Sequence, residues 1–279
     1  MAKLYRSREG NVTAIDTKTQ LTTLGSQTAP GTLLVPGAMN KLVAVIVAAA
    51  SDNVAVAAGA FMIRLEGPGI SRGSVVLSAG SSGGAVTTGA ASNINAIRIP
   101  VGISVIPGQE VLVFAENLGT DLGTCTVGVT LEFGTEAGAS GEIKSEVTVE
   151  GDVTAIDTLT RLTAQGSVTA PSRLTPPDAA RIKRIVVSAG CDGAASGQSA
   201  ILIRLGGDAI KGGEQTFFAQ AIGSTTAQTG SDRATFQHEP FILENVDIEI
   251  TPNETLDISA EMPGTDVGTV TVCVTVMFE

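Results

Sequence analysis

The chain has 279 residues, a formal net charge of −11, 43% hydrophobic and 3% aromatic residues, and a single histidine. These figures exclude a direct, sequence-specific nucleic-acid binder, which needs clustered Lys and Arg beside stacking aromatics, and a histidine-rich metal centre. With so few aromatics the core must be built from Val, Ile, Leu and Ala, and 33 Gly and 11 Pro predict an all-β class of short strands joined by turns.

Residues 1–8 carry the one basic cluster, Lys3, Arg6 and Arg8, and read as an N-terminal tail without the apolar run of a secretion signal. From residue 9 the chain begins a text that it later repeats. EGNVTAIDTKTQLTTLGSQTAP (9–30) returns as EGDVTAIDTLTRLTAQGSVTAP (150–171), identical at 16 of 22 positions. ENLGTDLGTCTVGVTLEF (116–133) returns as EMPGTDVGTVTVCVTVMF (261–278), identical at 11 of 18. A period near 140 residues is too long for a solenoid unit and suits a whole domain. The division expected is a first β-domain at 9–133, a linker at 134–149 and a second β-domain at 150–279.

Within the first copy the pattern predicts strands at 11–16, 41–50, 60–66, 74–79, 94–106, 110–117 and 124–133. The apolar stretch 41–63 is long enough to cross a bilayer. Its repeat partner at 181–203 holds Lys183 and Arg184, so both read instead as two buried strands around a turn. The segment 95–106 reads as two short strands or as one with a kink at Pro100, because proline cannot donate to a central ladder. GTDLGT (119–124) and GTDVGT (264–269) read as hairpin turns, with a calcium loop through Asp121 and Asp266 as the weaker functional reading. In the last strand Cys125, Val127, Val129, Leu131 and Phe133 share one face. Seven or eight such strands per copy predict two tandem homologous antiparallel β-sandwiches, with a leaning to jelly rolls.

Chemistry is sparse in this reading. His238 has no counterpart in the first copy and no nucleophile elbow before it. Cys125, Cys191 and Cys273 do not match between copies, which points to small buried hydrophobes and away from an inherited disulfide framework. Asp16 and Asp157, in the repeated VTAIDT, are expected to close a turn or cap a strand end by bonding backbone N–H groups. The expectation is therefore no catalytic residue, no cofactor other than calcium at Asp121 and Asp266, and no enzymatic activity. Charge separates the copies: residues 1–133 hold 8 cations and 8 anions, and residues 150–279 hold 8 and 17.

Two β-domains of about 125 residues in tandem, an Ala, Gly, Thr and Val-rich composition and no visible signal peptide together resemble the double jelly-roll major capsid proteins of tailless icosahedral viruses. The resemblance implies a virion protein that trimerises into pseudo-hexagonal capsomers, with itself and other virion proteins as partners. It also implies that Lys3, Arg6 and Arg8 touch an internal membrane or genome. The alternatives are an accessory decoration or fibre protein, a cell-surface filament subunit, and a carbohydrate-binding sandwich.

Overall fold

The computed structural model of the protein describes residues 3–26, 32–51, 58–84, 91–92, 94–119, 123–136, 142–168, 172–192, 197–224, 240–264 and 268–279. The first half contains β1 (Leu4–Val12), β2 (Thr19–Gln20), β3 (Lys41–Ser51), β4 (Ala58–Glu66), β5 (Ser74–Gly84), β6 (Ala91–Ser92), β7 (Ile94–Ser104), β8 (Leu112–Leu118) and β9 (Cys125–Gly134). The second contains β10 (Ser145–Val153), β11 (Thr160–Arg161), β12 (Arg181–Cys191), β13 (Gly197–Gly206), β14 (Gln215–Ser224), β15 (Phe241–Glu249), β16 (Asp257–Glu261) and β17 (Val270–Phe278).

Four antiparallel sheets result. Sheet I runs β1-β9-β3-β7, and sheet II runs β2-β8-β4-β5, with β6 added at the far end of β5. Sheet III runs β10-β17-β12-β15, and sheet IV runs β11-β16-β13-β14. Sheets I and III have the same strand order, as do sheets II and IV; sheets I and II enclose the first core, and sheets III and IV the second. Strands alternating in this way between two four-stranded sheets make each half a jelly roll. One residue pair, Cys191 at the end of β12 with Ala58 at the start of β4, links sheets III and II.

Core side chains follow the alternation read from sequence. Cys125, Val127, Val129, Leu131 and Phe133 are all buried. They pack with Leu42, Val45, Phe61, Ile63, Leu65 and Leu77 in the first core. Val272, Val274, Val276, Ile185, Val187, Ile203 and Ile258 occupy the second. Each fully buried aliphatic contributes about 1.5–3 kcal/mol. Pro100 lies on β7, at the edge of sheet I, where its missing N–H leaves no gap in a central ladder.

Three expectations change. The strand expected at 11–16 begins at Leu4 and ends at Val12, pairing β9 from Leu4↔Phe133 to Val12↔Cys125. Residues 4–8 are thus sheet and not tail. Likewise Ser145–Val149, expected in the linker, open β10 against β17. The segments before and after each GTDxGT motif do not form a hairpin: β8 pairs β2 and β4, whereas β9 pairs β1 and β3. The motif therefore joins an arch between sheets, because Asp and Gly mark a chain reversal without fixing which strands it connects.

Candidate assembly interface

The two halves meet where sheet II and the edge of β7 lie on the outward face of sheet III. Beyond its partner β4, the central part of β5 would present a bare ladder edge, which is a template for unwanted pairing. Hydroxyls from three adjacent strands of sheet III satisfy it. The N–H of Ser78 donates to Thr275 Oγ1 at 2.7 Å, that of Gly80 to Ser188 Oγ at 2.6 Å, and Thr148 Oγ1 donates to Val76 O at 2.7 Å. Thr148 and Thr275 are themselves bonded at 2.8 Å, and Ser78 Oγ reaches both Ser188 Oγ (2.6 Å) and Cys273 O (3.1 Å). Proton counting gives one consistent network: with Thr148 donating to Val76, Thr275 donates to Thr148 and accepts from Ser78.

Beside this network Ala60, Met62, Val76, Leu118 and Cys273 form a small apolar cluster across the seam. Val186 and Met277, from the outward face of sheet III, belong to the first core. The second half therefore closes the open side of the first sandwich. Arg184, 1% exposed, threads through this contact and donates to Pro100 O; burial lowers its pKa.

A charged clasp completes the seam. Arg64 donates through Nε and Nη2 to Glu116 Oε2, both at 3.3 Å, and through Nη2 to Gln165 O at 2.6 Å. Glu116 Oε1 accepts the N–H of Ser167 at 2.5 Å, and Glu150 Oε1 accepts that of Gly166 at 3.1 Å. Gly166 has φ 54°, and a side chain there would run into the Glu116 carboxylate. Only glycine meets both demands at this position. Burial pushes Glu150 up to about 7, helped by Asp16, Asp152 and Glu116 and opposed by the Gly166 N–H. Arg72 forms an ion pair with Glu146 across the seam; burial lowers the pKa of Arg72 and raises that of Glu146.

Asp121 and Asp266, the calcium candidates, lie outside the described residues, as does His238. Gly119, Gly123, Gly264 and Gly268 around them have φ of 76°, 70°, 90° and 87°. Among the described residues no group of three or more His, Cys, Asp or Glu could hold a metal ion. Asp16 and Asp157 have φ of 47° and 50° and accept the N–H of Gly119 and Gly264, just past the ends of β8 and β16, which is the strand-end capping and not the turn closure of the two roles expected. Lys3 pairs with Glu132 at 2.5 Å, Arg6 is exposed, and Arg8 is 5% exposed within β1. All three cysteines are buried, and burial pushes the Cys273 thiol up. Among the described residues no helix is long and apolar enough to cross a membrane.

Sequence reasoning missed the hydroxyl network. Ser78 and Ser188 have Phe218 and Ala48 in the other copy, so repetition gave no signal for them. Arg64 and Glu116 do recur, as Arg204 and Glu261.

No protein-family model matches the chain, and no curated protein matches it. Solved structures do resemble it at low identity. PNGase F, a glycosylasparaginase from Flavobacterium meningosepticum, is 9% identical with a TM-score of 0.35, covering 99% of this chain and 96% of that one. A broad bean stain virus structure is 6% identical with a TM-score of 0.41, covering 99% and 88%. PBCV-1 VP54, fitted into a reconstruction of the virophage Sputnik, is 8% identical with a TM-score of 0.32, covering 99% and 94%. The expectation that the chain is not an enzyme is corrected by the first of these, since amidases stand among its structural neighbours beside virion proteins. At this level of similarity no residue role is carried across.

Proposed function

We propose that the chain is a structural building block of a virion shell, in which three copies close into a ring of six jelly rolls and the rings tile the surface. The observation that supports this most is the polarity of the seam. The chain stacks its two copies head to tail, sheet II and the β7 edge on sheet III, and leaves the outward faces of sheets I and IV outside the seam. A head-to-tail contact generates a ring when its rotation closes and an open filament when it does not. The ring suits a shell tile; the filament suits the alternative of a fibre protein.

The test is the mass of the full-length protein across a concentration series, with negative-stain images of the assembled species. Trimers with six lobes, or shells, are the expected result. Fibres would replace the tile by the filament, and a monomer that persists at millimolar concentration would overturn both.

A further inference from the structure

The seam within the chain predicts the contact between chains, because both outer ends keep the parts that build it. On sheet IV, Arg204 Nη2 donates to Glu261 Oε2 at 2.7 Å, at the positions of Arg64 and Glu116. Their side chains are 32% and 13% exposed, where those of Arg64 and Glu116 are 3% and 0%. On the sheet I side, Leu24, Gly25 and Ser26 repeat Gln165, Gly166 and Ser167. Gly25 has φ 56° against 54°, its N–H donates to Glu9 Oε1 at 2.6 Å as that of Gly166 does to Glu150, and both loops carry the same bridge across the glycine.

One difference is decisive. The space over Gly166 is filled by the Glu116 carboxylate, whereas nothing lies within 4 Å of a side chain built at Gly25. One copy of the socket is occupied and the other is open.

The strand edge repeats as well. β14 pairs β13 in the register of β5 with β4: Leu202↔Phe218 and Arg204↔Thr216 match Met62↔Ser78 and Arg64↔Val76. Phe218 N–H and Thr216 O thus occupy the outward positions that Ser78 and Val76 fill in the seam, and the Phe218 side chain is 64% exposed. Facing them at the other end, Ser7 Oγ and Thr130 Oγ1 are bonded at 2.8 Å, repeating Thr148 and Thr275. A groove of about 640 Å³ lined by Tyr5, Ser7, Arg8 and Leu24 runs beside them.

We propose that sheet IV of one chain docks on sheet I of a second copy. Arg204 and Glu261 grip the Leu24–Ser26 loop of that copy, and the β14 edge lies on its Ser7 and Thr130. Charge sets this contact above one between two sheet IV ends, which would bring together two halves of 17 anions to 8 cations each, whereas the half that carries sheet I is neutral. The contact rests on the assembly reading above and gives it its faces. Ser188, Met277 and Arg72 have Ala48, Glu132 and Gly212 in their places, so the joint between chains lacks the Ser188 hydroxyl and the Arg72 cation of the seam and sets a carboxylate where the seam has Met277.

Two variants test it, each blocking one end. Gly25→Asn fills the open socket with a residue that tolerates positive φ, and Arg204→Glu turns the clasp against Glu261. Each variant alone is expected to be monomeric by light scattering while melting within a few degrees of the parent. Mixed, they should form a one-to-one dimer that grows no further, since each retains one intact end. If the parent assembles and either variant assembles equally well, or the mixture stays monomeric, the faces are wrong and the assembly reading stands. A parent that never assembles overturns both.

Discussion

Arg64 and Glu116 are charges taken almost wholly out of water, with side chains 3% and 0% exposed. Such a pair is held less by its own attraction than by the extra bonds that satisfy it, here from Gln165 O and Ser167 N–H. Removing one partner strands the other. Arg64→Met is expected to destabilise the chain by about 3–5 kcal/mol in urea denaturation, and Arg204→Met, on the exposed pair, by under about 1 kcal/mol. Equal losses would show that burial is not what distinguishes the two copies. Glu150 gives a pH signature. Its folded pKa of about 7 lies above the ordinary 4.5, so the folded chain holds this proton after the unfolded chain has released it. This contribution is present in full below about pH 4.5 and falls as pH rises to about 7, by at most about 3 kcal/mol. Glu150→Gln should flatten the stability profile across that window; an unchanged slope would assign it to other groups.

At the scale of elements the main device is an edge strand met by hydroxyls instead of another strand. Thr275→Val keeps the shape and deletes the acceptor, leaving the Ser78 N–H buried and unbonded at about 1–3 kcal/mol. The matching Thr130→Val on sheet I should stay within about 0.5 kcal/mol in the isolated chain; comparable losses in chemical denaturation would show that the β5 edge does not depend on Thr275. Much of this layer was legible in the sequence. Period-two alternation found β3, β4, β5, β7, β8 and β9, because each turns one apolar face to a core. It missed the start of β1, where Arg6 and Arg8 take the places that Val147 and Val149 hold on β10. It also missed the opening of β10, whose Glu146 and Thr148 face the seam. A buried polar face looks like a solvated one until its partner is known.

For the whole molecule, the sharing of Val186 and Met277 with the first core makes the halves interdependent. Calorimetry is expected to give one transition, with matching calorimetric and van't Hoff enthalpies; two separate transitions would mean that the seam adds little. The candidate site was only half visible from sequence. Repetition exposes what both copies need, such as the Arg–Glu pair and the glycine loop. The seam also uses residues only one copy needs, and these appear in an alignment of the two copies as mere divergence.

The unmatched cysteines acquire a practical meaning from their positions. Cys125 lies in the first core, Cys191 in the second and Cys273 in the cluster between them. Each thiol is thus a clock for a different motion. Labelling by a thiol reagent under native conditions would time the opening of each jelly roll and of the joint separately, without introducing a probe. If the joint breathes before the rolls do, Cys273 reacts first, and ring closure in an assembly should slow it while leaving the other two unchanged.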